Sequence, residues 1–146
     1  MIATSVSLVE YFIEIILFGE KKRIKMLMSY GSVMLGLGQF FRIAALFTAG
    51  RNFTHLISYR KKKEHVLVKD GIYSISRHPS YFGFFIWSVG CQVLCCNFIC
   101  SLGFTFVLWK FFNDRIGDEE PLLISFFGEE YLEYKNKVPI LIPCKI

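Results

Sequence analysis

Two short tracts of this chain concentrate the side chains able to do chemistry, and they stand on either side of a long apolar stretch. The first, residues 71–83, carries Tyr73, His78, Ser80 and Tyr81, with Pro79 placed for the first turn of a helix. The second, residues 114–120, carries Asp114, Arg115, Asp118, Glu119 and Glu120. Taken separately, each has an ordinary structural explanation. A His-Pro pair at a helix start serves capping and turn geometry, and an acidic pair beyond a helix faces solvent. Taken together, they offer both charge signs, hydroxyls, helix-start N–H groups and aromatic faces, the set that a zwitterionic ligand with an aromatic ring requires.

S-adenosylmethionine is such a ligand, since it presents a cationic sulfonium, a carboxylate, an amine, a ribose and an adenine. On this reading His78, the hydroxyls of Ser80 and Tyr81 and the helix-start N–H groups hold the anionic end. Glu119 or Glu120 holds the amine or ribose, and Tyr73 or Tyr81 packs on a ring or on the sulfonium. The remaining motifs point elsewhere. Cys91, Cys95, Cys96 and Cys100 lie in an uncharged stretch without C-x-x-C spacing, so they read as small helix-packing residues and no metal is expected. Gly36-Leu37-Gly38 lacks the third glycine and the preceding strand of a dinucleotide-binding turn. The sequon Asn52-Phe53-Thr54 sits among basic residues that argue for the cytosolic side of a membrane.

The elements that must position these tracts are apolar. The chain is 53% hydrophobic and 17% aromatic, with a mean hydropathy of +0.43, more than a water-soluble core of this size needs. The expected solvent is the bilayer. Basic groups cluster at Lys21, Lys22, Arg23 and Lys25 and again at Arg60, Lys61, Lys62 and Lys63, as cytosolic loops near anionic headgroups do. No folded basic face lies between the spans, so nucleic acid is not an expected partner. Residues 2–18 predict a short or interfacial helix, with Glu10 and Glu14 on one face, and the missing basic n-region argues against a cleaved signal peptide. Residues 28–48 are long enough to cross a hydrocarbon core, with Gly31, Gly36 and Gly38 as a small-residue packing face. Arg42 within that span must snorkel to an interface or face protein. Residues 79–109 hold no Asp, Glu, Lys, Arg or His, and at helical rise they extend about 45 Å, too long for one upright span. The run predicts a helical hairpin that breaks near Asn97, its second helix continuing through Lys110 and Glu120 to Pro121 or Gly128. Such a hairpin returns both polar tracts to one membrane face.

The tracts 71–83 and 109–138 resemble the C-terminal region of the isoprenylcysteine carboxyl methyltransferases. The matching residues are Arg77-His78-Pro79-Ser80-Tyr81, Asn113-Asp114-Arg115, Glu119-Glu120 and Phe126-Phe127-Gly128-Glu129-Glu130-Tyr131. Similarity reaches back to Phe47-Thr48-Ala49-Gly50-Arg51-Asn52-Phe53. The resemblance implies that His65, Val66, Leu67, Val68, Tyr73, His78, Pro79, Ser80, Tyr81 and Glu119 line an S-adenosylmethionine site. It implies that Arg115 faces a prenylcysteine carboxylate and that Arg115 and Glu119 carry the reaction. Ser58 stands where the family pattern has a glutamine, so that contact is not carried over, and Phe98 stands where a proline is usual.

The expected fold is therefore all-α: a multi-pass integral membrane protein with a C-terminal helical hairpin and a membrane-edge cofactor pocket. Residues 1–49 would supply N-terminal membrane helices, and residues 50–146 a methyltransferase region that includes the hairpin at 79–112. The activity implied is S-adenosylmethionine-dependent esterification of the prenylcysteine at the C-terminus of processed CaaX proteins. Its setting would be the endoplasmic reticulum membrane, with the active site facing the cytosol and prenylated protein tails and the lipid bilayer as partners. Cys144 is third from the end, so this chain carries no CaaX signal of its own. Two alternatives differ in kind. A phospholipid or small-lipid methyltransferase would share the cofactor motif but methylate an amine, for which Arg115 has no evident use. An inactive membrane partner of a longer homologue would fit the absence of the further N-terminal helices of typical animal members.

Overall fold

A computed structural model of the 146-residue chain describes residues 2–19, 24–54, 56–61 and 66–142. His65 lies outside the described residues, as do Lys21, Lys22, Arg23, Lys62, Lys63 and Cys144. The helices are α1 (Ile2–Phe18), α2 (Lys25–Ala49), α3 (Pro79–Leu94), α4 (Phe98–Phe127) and α5 (Glu129–Lys137). Short 3-10 turns at Gly50–Asn52 and Gly71–Ser74 bracket the polar connector between α2 and α3, and no strand occurs among the described residues.

Lys25–Asn52, with 28 residues at a hydropathy of 1.4, is the one stretch among the described residues long and apolar enough to cross a membrane unaided. α3 lies along it, and glycines on both helices set their approach. A Cβ added at Gly38 would stand 2.5 Å from the Trp87 backbone nitrogen, and one at Gly83 would stand 2.6 Å from the Gly38 carbonyl oxygen. Farther along, Gly31 meets the Leu94 backbone, and a Cβ at Gly90 would lie 2.8 Å from the Met34 Cβ. These distances leave room for hydrogen alone. Gly36, expected on the same seam, has nothing within 4 Å. At about 100° per residue, Gly31 and Gly38 fall on one helix face while Gly36 turns away from it. Gly38→Val is therefore expected to cost about 1–3 kcal/mol, seen as a lower Tm in detergent, because overpacking must push the two backbones apart. Gly36→Val should unfold like the parent; equal losses in both variants would contradict the seam.

The hairpin forms where the apolar run predicts it. α3 ends at Leu94, Cys96 takes a left-handed φ of 55°, and α4 begins at Phe98. Without proline at Phe98, the first turn of α4 has N–H groups to satisfy. Glu10 of α1 accepts from the backbone N–H of Ile99 and of Cys100, both at 2.8 Å. Asn97 ties the bend further, donating to the Ser7 carbonyl at 3.0 Å and to Gln92 Oε1 at 3.2 Å. α1 thus uses Glu10 to hold the hairpin bend, a role beyond the short or interfacial helix with Glu10 and Glu14 on one face that the sequence suggested.

α4 runs through Pro121 and stops at Gly128, whose φ of 58° turns the chain into α5. Large apolar side chains remain outside: Val33, Leu37 and Phe40 of α2, and Leu102, Phe106 and Val107 of α4, are exposed. Water penalises such faces and lipid does not. At the polar end, Phe112, Ile116 and Ile142 form one buried cluster and Tyr131, Tyr134 and Val138 another, the latter packed on Leu67 and Phe127.

Candidate active site

Arg77 and His78, which lead into α3, are tied to α4 and α5, and one carboxylate is shared by most of these ties. Glu120 is 1% exposed. Its Oε1 accepts from Tyr131 Oη at 2.7 Å and Arg77 Nε at 3.0 Å, and lies 2.9 Å from His78 Nε2. Its Oε2 meets Lys135 Nζ at 3.0 Å and Arg77 Nη2 at 3.3 Å. Arg77 also donates through Nη1 to the carbonyls of Lys135 and Val138, at 3.0 and 2.6 Å. The hub joins the start of α3, the middle of α4 and the end of α5. Burial alone would raise the Glu120 carboxyl, but hydrogen bonds from His78, Tyr131, Arg77 and Lys135 outweigh it and hold the group well below the usual carboxylate range.

Glu119, one residue earlier and about 100° around α4, points the other way. It lines a cavity of about 400 Å³ whose wall includes Val66, Leu67, Val68 and Tyr73 from the connector and His78, Pro79, Ser80 and Tyr81 from the start of α3. Arg115, one turn before Glu119, lines the same cavity. Every described residue that the resemblance assigned to the site is therefore on this wall. The expectation that either acidic neighbour could face a ligand resolves into two separate places: Glu119 on the cavity, Glu120 in the hub.

A polar chain crosses the cavity wall. Arg115 Nε donates to Tyr81 Oη at 2.8 Å, and Tyr81 Oη donates to Glu119 Oε2 at 2.7 Å. The Tyr81 ring stacks on His78, with centroids 5.5 Å apart and planes 3° from parallel, and the Arg115 guanidinium carbon lies 5.2 Å from the same ring's centroid. His78 gives Nε2 to the hub, so its reach toward the cavity is through Nδ1, 3.8 Å from Glu119 Oε2. Burial first, then the Glu119 charge, pushes the Tyr73 phenol up to about 12, leaving it a neutral hydroxyl at any physiological pH. Tyr134 Oη donates to the Tyr73 carbonyl at 2.6 Å, and Asn52 Oδ1 accepts from the Val66 N–H at 3.2 Å, so connector and helices are tied around the opening.

Several wall residues carried no assignment in the sequence reading. Arg42 turns inward from α2 onto the cavity, its guanidinium carbon 4.9 Å from the Phe84 ring centroid, which settles its place in favour of protein. The cost of a cation in an apolar span was the signal. Ser58 lines the cavity despite replacing the family's glutamine. Phe111, Phe112, Leu122, Leu123 and Phe126 supply an apolar side whose helical spacing reads equally well as core. Among the described residues no cluster of three or more His, Cys, Asp or Glu side chains could hold a metal ion.

Comparison with known proteins finds one family model, described as the isoprenylcysteine carboxyl methyltransferase family, matching residues 31–125. Protein-S-isoprenylcysteine O-methyltransferase B of Arabidopsis thaliana is 46% identical over 142 residues, which are 97% of this chain and 72% of that protein. The Homo sapiens protein-S-isoprenylcysteine O-methyltransferase is also 46% identical over 142 residues, 97% of this chain but 50% of its own length. A solved structure described as the eukaryotic intramembrane Ras methyltransferase superposes with a TM-score of 0.94 at 44% identity, over 97% of this chain and 51% of that one. This chain thus spans about half of the human relative and of the solved structure.

Proposed function

The chain belongs to the isoprenylcysteine carboxyl methyltransferase family, and from that premise we propose that it transfers a methyl group from S-adenosylmethionine to the carboxylate of a C-terminal prenylcysteine. The observation that carries the reading is the cavity wall on which Arg115 and Glu119 stand one helical turn apart, joined through Tyr81. A cavity of about 400 Å³ falls within the range of about 300–1,000 Å³ typical of small-molecule sites. Its donor set fits the cofactor: Glu119 for an ammonium or ribose, Tyr73 and Tyr81 for aromatic contact, Ser80 for a polar contact at the helix start. When bound, S-adenosylmethionine supplies a methyl group activated by its sulfonium. The acceptor carboxylate is already a nucleophile at neutral pH, so the protein's task is alignment and no general base is needed. Arg115 orients that carboxylate through paired hydrogen bonds, and Arg42 adds a second positive charge on the α2 side of the cavity. The apolar wall around Phe111 and Phe126 excludes water and strengthens both attractions.

Three spans follow from this reading: α2 crosses the bilayer alone, and α3 with the first half of α4 crosses as the hairpin at 79–112. The N-terminal segment 1–49 supplies membrane helices, and 50–146 forms the methyltransferase region, with Arg42 and Ala49 reaching into its cavity. The cavity is assigned to the cytosolic face of the endoplasmic reticulum membrane because prenylated CaaX proteins present their tails there. α2 crosses once, so the basic groups flanking it, Lys25 on one side and Arg60 with Lys61 on the other, stand on opposite faces and do not choose between them. An amine acceptor would leave Arg115 without a role. Membranes containing this chain should therefore transfer labelled methyl groups into base-labile esters, and a farnesylcysteine analogue should suppress labelling of a prenylated peptide. Phosphatidylethanolamine should not compete; base-stable label in phospholipid would replace this reading with the lipid-amine one.

A further inference from the structure

We propose that Tyr81 couples the two halves of the site, so that filling the acceptor half at Arg115 favours filling the donor half at Glu119. This rests on the assignment of those halves above. Tyr81 has one hydroxyl proton, which goes to Glu119 Oε2 at 2.7 Å, while its oxygen accepts from Arg115 Nε at 2.8 Å. The three groups make a cation–hydroxyl–carboxylate chain in a partly buried wall, where each hydrogen bond polarises the next. Arg115 draws electron density from the hydroxyl and makes it a better donor to Glu119. In this arrangement the carboxylate and the guanidinium satisfy each other through the bridge.

A carboxylate bound by Arg115 weakens that polarisation. Tyr81 then donates less strongly, and Glu119 becomes more available to a cationic group of the donor. The reverse holds as well: a cation at Glu119 loosens the bridge and frees Arg115 for an anion, as linkage requires. The ring is held independently of its hydroxyl. It stacks on His78, and its centroid lies 5.2 Å from that of buried Phe112. Removing the oxygen alone therefore keeps the ring in place.

The test measures the Kd of S-adenosylhomocysteine by titration calorimetry, on purified protein in detergent, with and without a saturating farnesylcysteine analogue. The wild type should bind at least about five-fold more tightly when the acceptor is present, a modest coupling by the usual scale. In Tyr81→Phe the ratio should fall to within about two-fold of unity, with Tm unchanged. Retention of the full ratio in Tyr81→Phe, or a ratio of one in the wild type, overturns the coupling and leaves the assignment of the halves standing. Failure of the folded wild type to bind S-adenosylhomocysteine at all overturns that assignment, and the coupling with it. Tyr81→Trp, which also lacks the phenolic oxygen, should behave as Tyr81→Phe does; a restored ratio there would also overturn the proposal.

Discussion

Glu120→Ala is expected to destabilise the chain by about 3–5 kcal/mol, because it leaves charges in a buried place with their counter-ion removed. Arg77, whose side chain is 8% exposed, would keep its two carbonyl acceptors but lose both bonds to the carboxylate. The hydroxyl of Tyr131, a residue 1% exposed, would lose the carboxylate oxygen to which it donates. The start of α3 would lose the His78 contact with α4 and the bridge through the carboxylate to Lys135 of α5, keeping the Arg77 bonds to the Lys135 and Val138 carbonyls and the Tyr81 bond to Glu119. Thermal unfolding in detergent checks this, with Glu119→Gln as the comparison, since Glu119 is partly open to the cavity and its loss should barely move Tm. A Glu120→Ala protein as stable as the parent would remove the hub from the account. The carboxyl's depressed value sets the pH window. Its contribution is complete above the ordinary value of 4.5 and is lost only as pH falls through the lower folded value. Stability from this group should thus be flat between about pH 6 and 8 and erode only in strong acid.

Arg115→Ala is expected to remove about 2–5 kcal/mol of transition-state stabilisation, roughly 30-fold to several thousand-fold in kcat/KM. The guanidinium would hold the acceptor carboxylate in a fixed plane, and no other described cation on α4 faces the cavity. Arg115→Lys keeps the charge and loses the planar fork, so it should fall between alanine and wild type. Both variants should insert and melt like the parent, because Arg115 lies outside the hub of Glu120. Wild-type kcat/KM in Arg115→Ala would sink its role as carboxylate clamp.

The hairpin was legible because residues 79–109 contain no ionisable Asp, Glu, Lys, Arg or His, a length pattern that admits few folds in lipid. Pro79 marked the start of α3 for a reason local to its ring, the missing N–H of a first helical turn. Arg115 and Glu119 were named together through the family resemblance alone; their four-residue spacing on α4 is what puts both on one face. What periodicity does not encode is the partner each face meets. Glu119 and Glu120 are chemically alike, and only the positions of Arg77, Tyr131 and Lys135 around α4 send one to a hub and the other to a cavity. Gly36 looked equivalent to Gly31 and Gly38 until α3 supplied the opposing surface at Gly83 and Gly90. Glu10 reads as an interruption of an apolar helix, and its use as a cap for α4 depends on a contact 89 residues away in sequence.

The most direct measurement is transfer of a labelled methyl group from S-adenosylmethionine to a farnesylated cysteine analogue, by membranes containing this chain or its Arg115→Ala variant at matched expression. Base-labile methyl ester is expected with the wild type and label near background with the variant, as the carboxylate-clamp role of Arg115 requires. Folded, inserted wild type that forms no ester, or a variant that forms as much as the wild type, would contradict it.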